Sequence, residues 1–195
     1  PGETEKRAIS VVNGISSVTL VSGLTNARSG TSPTRDEVIN LTRNIKVTGA
    51  TSALQAYVHI EDSPTLANFR YAEFYSLGSA VTDKFGIVSD DTTGVTNIQY
   101  CAIHDGAVAG SEGLRTTGSS SGGTFSNNVL YNLAGRGIIT FATSGTSWTV
   151  DNNVAIGLMS SGAFDLDDNG TTVTNNTAAG ATGQPFVWNN EAAAL

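Results

Sequence analysis

The stretch CAIHDG, residues 101–106, brings a thiol, an imidazole and a carboxylate together as Cys101, His104 and Asp105. An imidazole beside a carboxylate is the usual makings of an oriented general base, and a thiol nearby is a nucleophile in waiting. Arg115 and Arg136 follow downstream and could face an acidic sugar, which would make the group a lyase or hydrolase constellation on a uronic-acid polymer. A second grouping, DLDDNG, holds Asp165, Asp167 and Asp168, the oxygen-rich spacing of half a calcium loop without the downstream bidentate Glu of an EF-hand. Carboxylates also gather at Glu61–Asp62 and Asp90–Asp91. Tyr75, Tyr131 and Trp148 are the aromatic rings that could stack on sugar faces.

Whether these groups meet depends on the elements that carry them, and the chain repeats. LANFRYAEFYSLG, VTNIQYCAIHDG, GTFSNNVLYNLAG, SWTVDNNVAIGL and TTVTNNTAAGA align so that Ala72, Cys101, Asn128, Asn153 and Asn176 share a column at intervals of 29, 27, 25 and 23 residues. A second column of glycines, Gly86, Gly113, Gly137 and Gly162, keeps nearly the same period. A period in the twenties with short strands and Gly or Asn at the corners predicts an all-β, right-handed, single-stranded parallel β-helix of about five to six coils. Coils stacked at roughly 4.8 Å turn each column into a ladder. Phe74, Ile103, Leu130, Ala155 and Ala178 then form one apolar stack, and Ile87, Leu114, Ile138 and Ala163 a second. Asn128, Asn153 and Asn176 are expected in left-handed corner geometry, with amides bonding from coil to coil.

The ladders reduce the chemistry. His104 falls in the column of Tyr75, Tyr131 and Ile156, which predicts a partly exposed stack member, with Asp105 entering the turn before Gly106. Three positions along a strand and its turn send Cys101 and His104 to different sides, against a Cys–His nucleophile. Asp90–Asp91 and the DLDDNG carboxylates lie on one edge with two neutral coils between them, about 14 Å apart on strand spacing. Glycoside hydrolysis needs roughly 5 to 9.5 Å. No residue is therefore a firm catalytic candidate; His104, Asp105, Arg115 and Arg136 are the best available.

The N-terminal third differs. EKRAISVVNGISSVTLVSGL holds two alternating runs around Asn13-Gly14, a hairpin signal. Residues 1–41 read as a capping hairpin and loop that would cover an open coil edge, and 42–195 as the β-helix, continuing or meeting a partner at its far end. Together with DEVINLTRNIKVTG, AEFYSLG, CAIHDG and NNVLYNLAGRGIITFA, this segment resembles the β-helix region of fibrocystin-like proteins and the related cell-surface, hyaluronan-binding (cell-migration-inducing) proteins. The resemblance covers roughly residues 3–170 and implies the same parallel β-helix, a secreted or cell-surface setting, and contact with glycans.

Composition sets further bounds. The 195 residues carry 17 acidic against 10 basic side chains, a net charge of −7, which opposes binding to nucleic-acid phosphates. One cysteine excludes an internal disulfide. No apolar run approaches the roughly 18 residues of a membrane helix. The sequons at Asn40, Asn169 and Asn175 would accept glycans in a secreted eukaryotic protein. The expected function is an extracellular structural or adhesive module, part of a larger ectodomain or filament, with self-association or neighbouring domains as partners and no cofactor apart from calcium. A polysaccharide-active enzyme or glycan-binding module on the same fold is the alternative.

Overall fold

The computed structural model describes residues 7–13, 17–25, 45–51, 55–61, 66–79, 81–90, 93–106, 110–118, 120–140, 147–157, 159–160, 162–166 and 170–188. The chain divides into two compact units, residues 1–40 and 41–195. In the first, β1 (Ile9–Asn13) and β2 (Ser17–Leu20) pair antiparallel and close on Asn13 opposite Ser17. That is the hairpin expected around Asn13; Gly14 lies outside the described residues.

In the second unit the strands come in threes. β3 (Ile45–Thr48), β4 (Val58–Ile60) and β5 (Leu66–Arg70) make the first rung, and β6 (Ala72–Tyr75), β7 (Ile87–Asp90) and β8 (Val95–Gln99) the second. β9 (Ala102–Gly106), β10 (Leu114–Thr117) and β11 (Gly122–Ser126) make the third, and β12 (Val129–Leu133), β13 (Arg136–Thr140) and β14 (Ser147–Asp151) the fourth. β15 (Val154–Ile156), β16 (Gly162–Leu166) and β17 (Thr172–Thr174) complete the fifth; β18 (Thr177–Ala179) and β19 (Phe186–Trp188) begin a sixth. Every third strand pairs in parallel. The first sheet runs β3-β6-β9-β12-β15-β18, the second β4-β7-β10-β13-β16-β19 and the third β5-β8-β11-β14-β17. With no helix among the described residues, this is the parallel β-helix that the repeat predicts.

The register makes the first apolar column physical. Phe74 sits beside Ile103, Ile103 beside Leu130, Leu130 beside Ala155 and Ala155 beside Ala178. Phe74, Ile103, Leu130 and Ala155 are buried, and each of the larger three contributes about 1.5–3 kcal/mol through burial. The second column needs a correction at its far end. Ile87, Leu114 and Ile138 pair as expected, but Ile138 lies beside Phe164, not Ala163, and Gly162 lies beside Arg136. All five residues of β16 are buried, so the strand offers no alternation from which to choose its parity, and the inward position goes to the larger side chain. The glycine column serves close packing. A Cβ on Gly86 would stand 1.9 Å from the backbone oxygen of Glu112.

The corner between the third and first sheets is also shifted by one residue from expectation. The left-handed residues are Tyr71, Tyr100, Asn127, Asn152 and Asn175, with φ between 52° and 57°, and not Asn128, Asn153 or Asn176. The left-handed residue swings the chain round in a two-residue corner, and the following asparagine then points inward. There the expected amide ladder exists. Asn128 Nδ2 donates to Asn153 Oδ1 at 3.0 Å, and Asn153 Nδ2 donates to Asn176 Oδ1 at 2.9 Å. The backbone N–H groups of Cys101, Asn128 and Asn153 donate to the Oδ1 of the next asparagine up at 2.9, 3.0 and 2.9 Å. The buried corner donors of Cys101, Asn128 and Asn153 are thereby satisfied without water.

Candidate functional site at His104

His104 stands on the outer face of the first sheet, in register with Tyr75 on one side and Tyr131 on the other. It was expected to be partly exposed. Its side chain is 3% exposed, because the two tyrosine rings close over it, at 5.5 Å and 8° for Tyr75 and 4.4 Å and 10° for Tyr131. Both ring nitrogens are engaged. Nε2 lies 3.0 Å from Glu73 Oε1 and Nδ1 lies 2.9 Å from Asp105 Oδ2. Glu73 reaches the ring from the rung below because the residue beside it in β9 is the small Ala102.

The neighbours extend the chain of contacts. Lys46, beside Glu73 in register, places Nζ 2.9 Å from Glu73 Oε2. Asn132 Nδ2 donates to Asp105 Oδ1 at 2.6 Å. Asp105 takes a left-handed φ of 55°, which turns its carboxylate back onto the ring of the residue before it. Burial alone would raise the Glu73 carboxyl, but hydrogen bonds from Lys46 and His104 outweigh it and hold the group below its usual value. The Glu73 contact in turn raises the Lys46 ammonium. Burial, with the negative charges of Asp105 and Glu73, pushes the Tyr131 hydroxyl well up, so it stays protonated.

The two arginines lie elsewhere, on the second sheet. Arg115 Nη1 holds both oxygens of Glu112, at 3.1 and 2.9 Å, and its guanidinium lies over the Phe85 ring at 4.3 Å. Arg136 Nη1 reaches Glu112 at 3.5 Å, and its Nε sits 2.9 Å from Asp165 Oδ2, an ion pair whose angle falls short of a hydrogen bond. Burial raises the Glu112 carboxyl, and the two guanidiniums limit the rise. The structure thus places His104 and Asp105 on one sheet and Arg115 and Arg136 on another, each arginine already bound to a carboxylate. Asp165 belongs to this arginine network; Asp167, Asp168 and Asn169 lie outside the described residues, as do Asp62, Asp91 and Asn40. Among the described residues no cluster of three potential ligands could hold a metal ion.

A third polar group joins the first three rungs. His59 places Nε2 3.4 Å from Asp90 Oδ2 and Nδ1 3.7 Å from Glu61 Oε2, while Thr117 Oγ1 donates to Asp90 Oδ1 at 2.5 Å. Of the three rings assigned to sugar stacking, Tyr75 and Tyr131 flank His104, but Trp148 is fully buried and packs on Phe125 at 4.8 Å. Gly123 beside it in register leaves the volume that the indole fills. Cys101 is a buried thiol, as its column predicts, and its Sγ donates to Gln99 O at 3.3 Å. Asn175 is exposed, and its amide donates to Asp151. Glu73, Glu112 and His59 were not singled out in the sequence. The available signal was vertical: Lys46 precedes Glu73 by one period, a charge pair in a single column.

No family model, curated protein or solved structure matches the chain.

Proposed function

We propose that this chain is a structural or adhesive β-helix module of an extracellular or cell-surface assembly, with its chemistry-bearing side chains used to fasten one coil to the next. One observation carries the reading: His104, the best candidate base, has a carboxylate on each nitrogen and a tyrosine on each face. A general base must offer a lone pair to a substrate proton within hydrogen-bond reach. This ring is committed instead to Glu73 and Asp105. The resemblance to fibrocystin-like and hyaluronan-binding cell-surface proteins supports the setting, and the net charge of −7 disfavours nucleic acid as partner. Self-association, or contact with neighbouring domains, supplies the partners.

The test has two arms. Incubation with hyaluronan, alginate and pectin should release neither unsaturated uronates nor new reducing ends, while sedimentation or electron microscopy should detect ordered association. Turnover of any of these polymers that disappears in His104→Gln would overturn the proposal. Glycan binding has its own support, in a pair of rings outside the expected three, Tyr75, Tyr131 and Trp148. Tyr71 and Tyr100 stack at 5.1 Å and 18° on the outer corner and are 60% and 39% exposed. Immobilised neutral glycans should then retain the wild-type protein and lose it on Tyr71→Ala.

A further inference from the structure

The geometry points to a proton-dependent clamp at His104: the ring fastens the second, third and fourth rungs together when it carries a proton on both nitrogens, and loosens them when it gives one up. This goes beyond the structural reading above and stands whether or not the protein associates. The observation is a count of donors. Nε2 and Nδ1 each face a carboxylate oxygen, at 3.0 and 2.9 Å. A neutral imidazole has one N–H, so one of the two contacts would oppose a lone pair to a carboxylate. An imidazolium satisfies both, and each contact becomes a charge-assisted hydrogen bond.

Two carboxylates and two aromatic faces surround the ring. From β6 come the carboxylate of Glu73, already held below its usual value, and the face of Tyr75. From β9 itself comes Asp105, and from β12 the face of Tyr131, whose hydroxyl remains neutral. Aromatic faces within about 6 Å attract a cation. Lys46 on β3 places a cation beside the group; it binds Glu73 through Oε2 and leaves Oε1 to the histidine. Asn132 on β12 holds the second oxygen of Asp105, so the Asp105 carboxylate is fixed in place for the ring. The clamp therefore spans Glu73 of the second rung, His104 and Asp105 of the third, and Tyr131 and Asn132 of the fourth.

The chain has two histidines, and a His59→Gln background isolates the signal. In that background, ring 15N and 13C spectra of His104 followed from acid to alkaline pH should show both nitrogens protonated at the acid end and one proton lost on the way to the alkaline end. The melting temperature should be higher at the acid end by roughly 2–4 °C, the shift expected for about one kcal/mol in a chain of this size. Stability of this sign is present while the ring is charged and is lost as pH rises. Glu73→Gln and Asp105→Asn should each shrink the difference, and His104→Gln should abolish it. A neutral-tautomer spectrum throughout the range, or a pH difference unchanged in His104→Gln, would overturn the clamp. If His104→Gln does not fold, the ring spectrum of the protein with His104 intact decides alone.

Discussion

Truncating Asn153 to alanine probes the vertical bonding most directly. Asn153 is fully buried at the middle of the amide ladder. Its Oδ1 accepts from both the backbone N–H and the side-chain amide of Asn128, each at 3.0 Å, and its Nδ2 donates to Phe125 O at 2.8 Å and Asn176 Oδ1 at 2.9 Å. Removing the side chain leaves two buried donors on Asn128 without that acceptor, at about 1–3 kcal/mol apiece. Partial relaxation brings the expected cost to about 3–5 kcal/mol, a large share of the 5–15 kcal/mol that stabilises a typical domain. Asn176→Ala removes the same kind of acceptor from Asn153, but Asn176 is only partly buried and water can substitute, so about 1–2 kcal/mol is expected. Asn153→Asp keeps Oδ1 but points a second oxygen at two acceptors. It should be worse than alanine at neutral pH and recover as the new carboxyl is protonated. Urea unfolding followed by circular dichroism measures all three. The reasoning fails if Asn153→Ala costs less than about 1 kcal/mol, or no more than Asn176→Ala.

Three further outcomes follow from the same packing. Phe74→Ala, fully buried beside Ile103 in the apolar column, should cost about 3–5 kcal/mol by calorimetry or denaturant titration. Gly123→Ala should give no soluble folded protein, because a Cβ there would meet the backbone oxygen of Thr96 at 1.8 Å and also face a φ of 157°. The Glu73 carboxyl is held below its usual value, so its contribution is present above the unfolded value of about 4.3 and is lost as pH falls through the folded one. Melting temperatures between about pH 5 and about pH 2 should therefore fall more steeply for the wild type than for Glu73→Gln.

The ladders were legible because a solenoid copies one environment at every rung. Phe74, Ile103 and Leu130 occupy one inward position, and the three asparagines one corner, so repetition in the sequence stands in for an alignment. The misses occur where a column does not repeat. Lys46, Glu73, Ala102 and Val129 share a column of four unlike residues, and the partner of Glu73 lies on a neighbouring rung 31 residues away in the chain. Nothing in a linear pattern marks such a pair. The exposure of His104 was misjudged for a related reason: a ring on an outer face reads as solvated until the tyrosines at the same position above and below are both laid flat against it. At β16 the slip from Phe164 to Ala163 arose because a strand buried on both faces carries no period-two signal, and side-chain size was the only guide left.

Five of the polar contacts share one direction, and that direction supports the structural reading better than any single distance. Lys46 to Glu73, Glu73 to His104, Asp105 to Asn132, Glu112 to Arg136 and Arg136 to Asp165 all run from one rung to the next, parallel to the column of strands. An active site of the lyase or hydrolase kind would point several groups away from the sheet, toward one volume where a substrate atom could sit. Here the groups point along the sheet, at one another. Each contact crosses the same inter-strand gap as the backbone hydrogen bonds, so sliding or splaying a rung must break charge pairs and backbone bonds together. Because a stacked-repeat protein gains its stability from nearest-neighbour interfaces, outer-face ion pairs and the inner amide ladder add to the same quantity, the coupling between adjacent coils.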